Sequence, residues 1–257
     1  MPLLVLALIA LPAPAQGDEP TLDQWLIERH EWRQETPGLA HLSVRNLHGD
    51  VRIRPSAGSE IYLLGLVQHH VDDSRMPDFE VREEGGELAL EVTYPAGDLA
   101  AEPEAWKKRR VDVTVLVPAA VTLAIETDHG LAEVKGTTGD LTVRTTFGEI
   151  VTVTSGSVDA ESVHGPIRSE LRNSHWNSPP RFATINGEIR VQLPRTVAAS
   201  ARLETRGEIT TDFSLAVTRD PATGHKVARA EIGLGGQQLS ATSVNGAIKL
   251  LQSITGY

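Results

Sequence analysis

The stretch Phe182–Val191, FATINGEIRV, decides how the chain is read. An Asn-Gly pair between apolar residues is the strongest short-range signal for a two-residue β-hairpin. The phrase returns in altered form, however, as VRNLHGDVRI (44–53), IETDHGLAEV (125–134), VRTTFGEIVTV (143–153), AESVHGPIRS (160–169), LETRGEITTDF (203–213) and LSATSVNGAIKL (239–250). A type I′ hairpin needs positive φ at both central residues, so Asn, Asp or Gly should precede the glycine. The residues there are His48, His129, Phe147, His164, Asn186, Arg206 and Asn245, and only the two Asn fit. One positive-φ position is enough for a type II corner, which bends the chain without an antiparallel return. A three-residue hairpin with a glycine bulge meets the same pattern.

Aligned on Gly49, Gly130, Gly148, Gly165, Gly187, Gly207 and Gly246, the copies share a pattern of Thr, Ser or Asn three residues before the glycine and an aliphatic residue two after it. The polar position holds Asn46, Thr127, Thr145, Ser162, Thr184 and Ser243; before Gly207 it comes one place late, as Thr205. The aliphatic position holds Val51, Ala132, Ile150, Ile167, Ile189, Ile209 and Ile248. From Gly130 the spacings are 18, 17, 22 and 20 residues, and the last, 39, is about two units. The expected physics is an ST- or Asx-turn closed by the polar side chain, a positive φ at the glycine, and a β-branched residue opening the next strand inward. Elsewhere the period is two, as in FEVREEGGELALEVTY (79–94) with a turn at EEGGE, and in RRVDVTVLVP (109–118). Such repeats predict an all-β chain: a β-solenoid of short strands stacked in parallel ladders with glycine corners, with some antiparallel β near the N-terminal half.

The chain resembles the putative-adhesin β-strand-repeat family of exported bacterial envelope proteins, a domain of unknown function. The likeness is carried by VRNLHGDVRI, VDVTVLVPAAVTLAIETDHG (111–130), ATINGEIRVQLP (183–194), LETRGEITTDF and ATSVNGAIKL (241–250), and spans most of the chain after about residue 30. The resemblance implies a single-stranded β-helix-like solenoid fold and an envelope or surface location. It carries over no catalytic residue and no cofactor.

Composition limits the partners. With 257 residues, 40% hydrophobic, the chain is long enough to bury a sizeable core. A formal net charge of −10 lacks the basic footprint that phosphate recognition needs, and 4% aromatics leave little for a base-stacking platform, so nucleic acid is excluded as a partner. The absence of cysteine removes disulfides, thiolate chemistry and lipoprotein attachment. Leu3–Leu11 is an apolar run of signal-peptide length followed by a small-residue cleavage site, Ala13 to Ala15, although no Lys or Arg precedes it. The expected organisation is a signal peptide over 1–15, an N-terminal segment over 16–37 and one repeat domain over 38–253. In the middle segment Thr21 and Gln24 form a possible capping box and Leu22, Trp25, Leu26 and Trp32 one helical face, predicting a short helix; from His30 the stretch reads equally as extended. No transmembrane segment is expected in the mature chain, which would be periplasmic or at the cell surface.

Signatures of catalysis are missing: there is no GxSxG, HExxH, P-loop or dinucleotide fingerprint. HHVDD (69–73) is the densest ligand-like cluster, but its side chains alternate sides when extended, and no metal site is expected. Glu149, Glu188 and Glu208 share the position after the glycine and would line one edge. The expected function is a non-enzymatic exported envelope protein acting as an interaction, adhesion or structural module; the alternatives are a carbohydrate-active enzyme on a β-helix scaffold and an envelope-stress or assembly accessory that binds a membrane protein. The residue before the glycine is the stronger pointer. If neighbouring repeats stack about 4.8 Å apart, His129, Phe147 and His164 form one exposed column, a candidate contact patch for a protein or glycan at the cell envelope.

Overall fold

The structure is a computed structural model that describes residues 25–71, 73, 75–95 and 109–253. The leader and cleavage site, together with Thr21, Leu22 and Gln24, lie outside the described residues. The described chain is all β. It opens with β1 (Trp25–Glu35), β2 (His41–His48), β3 (Val51–Pro55), β4 (Glu60–His70), β5 (Asp78–Glu84), β6 (Glu87–Thr93) and β7 (Arg109–Val117). The serial repeats follow as β8 (Thr122–His129), β9 (Ala132–Thr137), β10 (Leu141–Phe147), β11 (Ile150–Thr154), β12 (Val158–His164), β13 (Ile167–Leu171), β14 (Arg181–Thr184) and β15 (Ile189–Leu193). The chain ends through β16 (Ala199–Thr205), β17 (Ile209–Thr211), β18 (Ala216–Arg219), β19 (Lys226–Ile232), β20 (Gln237–Ser243) and β21 (Ile248–Gln252). Among the described residues no helix is long and apolar enough to cross a membrane.

These strands form two mixed sheets, of ten strands (β1-β4-β7-β3-β9-β11-β13-β15-β21-β17) and eleven (β18-β19-β16-β20-β14-β12-β10-β8-β2-β6-β5), and neither closes into a barrel. At each glycine corner the chain leaves one sheet and enters the other. FATINGEIRV is therefore not a hairpin: β14 and β15 lie in different sheets, and each pairs in parallel with the equivalent strand of the neighbouring repeat. Parallel register puts like residues over like. Leu123, Leu141 and Val158 stand in one inward row, and Val51, Ala132, Ile150, Ile167, Ile189, Ile248 and Ile209 in another, all but Ile209 buried. The period of two leaves each sheet one face to bury, and the two buried faces make one continuous core. Loop 172–180 contributes to it: Trp176 is buried, and its backbone N–H and C=O are both bonded by the Gln237 side chain (3.0 and 2.7 Å).

Three expectations need correction. The segment 16–37, read for a short helix or, from His30, an extended stretch, is a strand over Trp25–Glu35: eleven residues pair antiparallel with β4, which gives Trp32 a buried place opposite Leu63 that an isolated helix would lack. Antiparallel pairing is present near the N-terminus as expected, in β1–β4, β4–β7 and β5–β6, and it recurs where β19 pairs with β16 and β18. The spacing of 39 does not span a missing unit. The chain runs out to β16 and β17, turns back, and inserts β20 and β21 between the Gly187 and Gly207 repeats, so the last copy in sequence is the penultimate one in space.

The glycines have a different cause from the one expected. Only Gly49 and Gly130 of the seven have φ in the left-handed range, at 123° and 150°. What all seven share is close backbone approach. A Cβ on Gly130 would lie 2.1 Å from the carbonyl oxygen of Gly49, one on Gly148 1.8 Å from that of Gly130, and the series continues through Gly165, Gly187, Gly246 and Gly207. Each carbonyl in this column also accepts a hydrogen bond from the next repeat: Thr127 Oγ1 donates to Gly49 (3.3 Å), Ser162 Oγ to Gly148 (3.4 Å), Thr184 Oγ1 to Gly165 (3.2 Å), Ser243 Oγ to Gly187 (3.0 Å) and Thr205 Oγ1 to Gly246 (2.6 Å). Asn46 Nδ2 does the same to Val111 at one end (2.8 Å), and at the other Lys226 Nζ caps the carbonyl of Gly207 (2.5 Å). Thr145 is the exception, its buried hydroxyl making no such bond. The recurring hydroxyl thus ties one repeat to the next, and Thr205, late by one place in sequence, stands in register with Ser243.

Candidate functional site

The corner that stacks the glycines also stacks the residues before them. β2, β8, β10 and β12 are in parallel register with His48 opposite His129, His129 opposite Phe147 and Phe147 opposite His164. Their rings form a ladder: His48 to His129 is 5.0 Å between centroids, His129 to Phe147 4.8 Å and Phe147 to His164 4.9 Å, the last two pairs inclined by only 11° and 8°. The structure thus brings His129, Phe147 and His164 together in one column. It also extends the column with residues that were not singled out. Tyr94 packs edge-on against His48 (5.6 Å), and beyond His164 the column continues as amides. Asn186 Nδ2 donates to His164 Nδ1 (3.0 Å), and Asn245 Nδ2 to Asn186 Oδ1 (2.6 Å). His48, Asn186 and Asn245 stood at the same place in the repeat and were legible; Tyr94 was not, since it lies in no copy of it.

Geometry limits what the ladder offers. Both faces of the Phe147 ring are covered by imidazoles, so a sugar ring cannot stack on it, although Phe147 is 47% exposed. The column presents ring edges: a ridge of C–H and N–H groups carrying the positive side of each ring quadrupole. Because His164 Nδ1 accepts from Asn186, a neutral His164 carries its proton on Nε2. His48 is buried at the closed end of the ladder. Burial, reinforced by the neighbouring His129, pushes its pKa down to about 4. Burial likewise pushes the Tyr94 phenol up; its hydroxyl lies 3.0 Å from Asn46 Oδ1 and 2.9 Å from the His48 carbonyl.

One groove flanks the ridge. It has a volume of about 510 Å³ and is lined at one end by Asp128, Arg144 and Thr146 and at the other by Val163, Ile185 and Val244. Ile185 and Val244 are exposed, at 46% and 39%, so an apolar rank lies beside the open end of the ladder. A second hollow, of about 440 Å³, meets the ladder at His48 and His129 and is lined also by Trp25, Gln68 and Arg110.

Among the described residues the other candidates are not assembled into sites; Asp72 of HHVDD lies outside them. In HHVDD, His69 faces inward with Nδ1 3.0 Å from the Asp73 carbonyl, while His70 faces outward against Trp25. Asp73 is buried and held by Arg109 through two bonds (2.5 and 2.9 Å); burial alone would raise its pKa, but the hydrogen bonds from Arg109 and Arg75 hold it below the usual carboxylate value. The acids after the glycines are separated in space: Pro166 lies between Glu149 and Glu188, and Ala247 between Glu188 and Glu208. Glu149 is paired with Arg168 and Glu188 with Lys249 (2.7 Å), and none of the three acids lines either hollow.

No family model and no curated protein matches the chain. Among solved structures it is similar to a putative cell adhesion protein from Clostridium sporogenes at 10% identity, over 89% of this chain and 100% of that one, with a TM-score of 0.47. It is also similar to a putative adhesin from Bacteroides fragilis (9% identity, 88% and 97% covered, TM-score 0.37) and to one from Parabacteroides distasonis (9%, 88% and 97%, TM-score 0.23).

Proposed function

We propose that the protein is a non-enzymatic, exported module of the cell envelope, a solenoid-like scaffold that holds a protein partner along the ridge His129–Phe147–His164 and the apolar rank beside it. The observation that carries this reading is the half-exposed Phe147 locked between two imidazoles, on the same sheet as exposed Ile185 and Val244, which lie two and three strands further along. Apolar groups fixed in place lose little conformational freedom on binding, which favours a preorganised contact surface. The in-register parallel ladders of both sheets support the solenoid-like part of the proposal, since they form a long rigid face suited to extended contact. A protein suits the ridge better than a glycan because the ring faces are occupied. Export rests on the apolar run Leu3–Leu11 and the Ala13–Ala15 cleavage site. The carbohydrate-active alternative gains nothing from the separated, ion-paired acids.

The test is photo-crosslinking in intact envelopes from position 185 and, as a control on the opposite sheet, from Arg190. A discrete product from 185 and none from 190, lost in Phe147→Ala while the fold persists by circular dichroism, supports the proposal. Equal products from both positions, or one that survives Phe147→Ala, overturns it. Fractionation of the same cells reads the compartment.

A further inference from the structure

The open edges of the two sheets are unequal. At three of them the outer strand is short: three residues in β17, four in β18 and seven in β5. The fourth is β1, whose eleven residues, among the described residues, pair with β4 on one side only, without a register shift. Free edges are normally blunted by brevity, by charged side chains or proline on the edge, by a bulge or by a charge pointing inward. β1 has no proline and no bulge, and its outward charges, Arg29, Glu31, Arg33 and Glu35, alternate in sign, so a second copy can meet Arg29 and Glu31 with their opposites. Its inward-pointing Glu28 is answered within the chain, lying 3.9 Å from His30 and 3.7 Å from His69. Its first three residues are apolar and exposed, Trp25 by 43%, Leu26 by 48% and Ile27 by 63%.

We propose that two copies of this chain pair β1 to β1, antiparallel, about a twofold axis through His30. This register uses the whole strand and joins the two ten-stranded sheets into one. It sets Arg29 opposite the second copy's Glu31 and Glu31 opposite its Arg29, on the outer face where both side chains already stand. Moving the axis one residue either way brings like charges together: Arg29 on Arg29 in one case, Glu31 on Glu31 and Arg29 on Arg33 in the other. Cross-strand charge therefore selects one register, as it does within sheets. In that register Trp25, Leu26 and Ile27 come to lie against the second copy's Glu35, Gln34 and Arg33, whose aliphatic stems cover them. The contact is isologous, so each favourable pair occurs twice.

Sedimentation velocity of the purified chain over a concentration series tests this. A reversible dimer is expected. Arg29→Glu should weaken it by about tenfold or more, since two attractive pairs become repulsive, while the thermal midpoint of the monomer moves little. Adding Glu31→Arg restores opposite charges across the axis and should restore the dimer. A monomer at every concentration, a dimer indifferent to Arg29→Glu, or a double variant as weak as the single one would each overturn the proposal. Trp25 shares the second hollow with His48 and His129, but no residue of β1 lines the groove beside Ile185 and Val244, so crosslinking from position 185 reads the proposed partner independently of the dimer.

Discussion

Gly187 faces the carbonyl oxygen of Gly165 so closely that a Cβ on Gly187 would lie 2.0 Å from it. The same relationship recurs down the column and sets how near two repeats can come at the corner. Gly148→Ala and Gly187→Ala should each lower the unfolding free energy by about 3 kcal/mol, the upper range for overpacking, because the obstacle is backbone and cannot rotate away. Gly58→Ala, with no heavy atom within 4 Å of the added methyl, should stay within about 0.5 kcal/mol of the parent. Urea denaturation reads all three, and a tolerated Gly187→Ala contradicts the close-approach account.

The hydroxyl that bridges repeats should matter most where it is buried. Thr184→Val removes the donor to the Gly165 carbonyl and should cost about 1–2 kcal/mol. Lys226→Met uncaps the partly exposed Gly207 carbonyl at the end of the column, where water can replace the ammonium, and should cost less. The order of the two urea midpoints is the readout; the reverse order would show that the end cap, not the inner bridge, limits stability.

Stability should fall on mild acidification. His48 titrates near 4 in the folded chain against 6.5 for an unperturbed imidazole. Between those values the unfolded chain takes up a proton that the folded chain refuses, so the contribution is whole above pH 6.5 and is lost as pH drops toward 4. The loss should be on the order of 3 kcal/mol. His48→Phe, which places in this position the ring already present at Phe147, should flatten the profile of melting temperature against pH over that window. An unchanged slope in the variant assigns the acid sensitivity elsewhere.

Asp73→Asn weakens the two charge-assisted hydrogen bonds that the buried Arg109 makes to this side chain and should destabilise by about 1.5–3 kcal/mol. Arg109→Met should cost a similar amount, and the double variant less than the sum of the two, since both changes remove the same pair. Thermal melts of the single and double variants decide it: strictly additive losses rule out the Asp73–Arg109 pair as the cause.

The alternation of residues such as Val111, Val113, Val115 and Val117, the seven glycines and the column His129–Phe147–His164 were all legible, because period and spacing are properties of the chain itself. The reason for the glycines was not. A positive φ is a local property that a turn motif suggests, whereas a carbonyl 2 Å from a missing Cβ belongs to the neighbouring repeat. The same holds for Thr184, whose hydroxyl was expected to close its own turn and instead reaches Gly165. Asn186 and Asn245 were legible from their place in the repeat, but Tyr94, outside every copy of it, joined the ladder only through its tertiary contact with His48.

By itself the sequence determined an all-β chain, the place of each corner and which side chains point inward, since these follow from local backbone preference and a period of two. Only the tertiary structure decided the order of the repeats in space. Nothing local distinguishes a last unit stacked at the end from one inserted between Gly187 and Gly207; the antiparallel return through β19 makes that choice, by pairing with β16 and directing β20 back against β14. It also decided the state of Trp25–Glu35, where eleven pairings with β4 outweigh any helical preference of a segment too short to hold a helix alone.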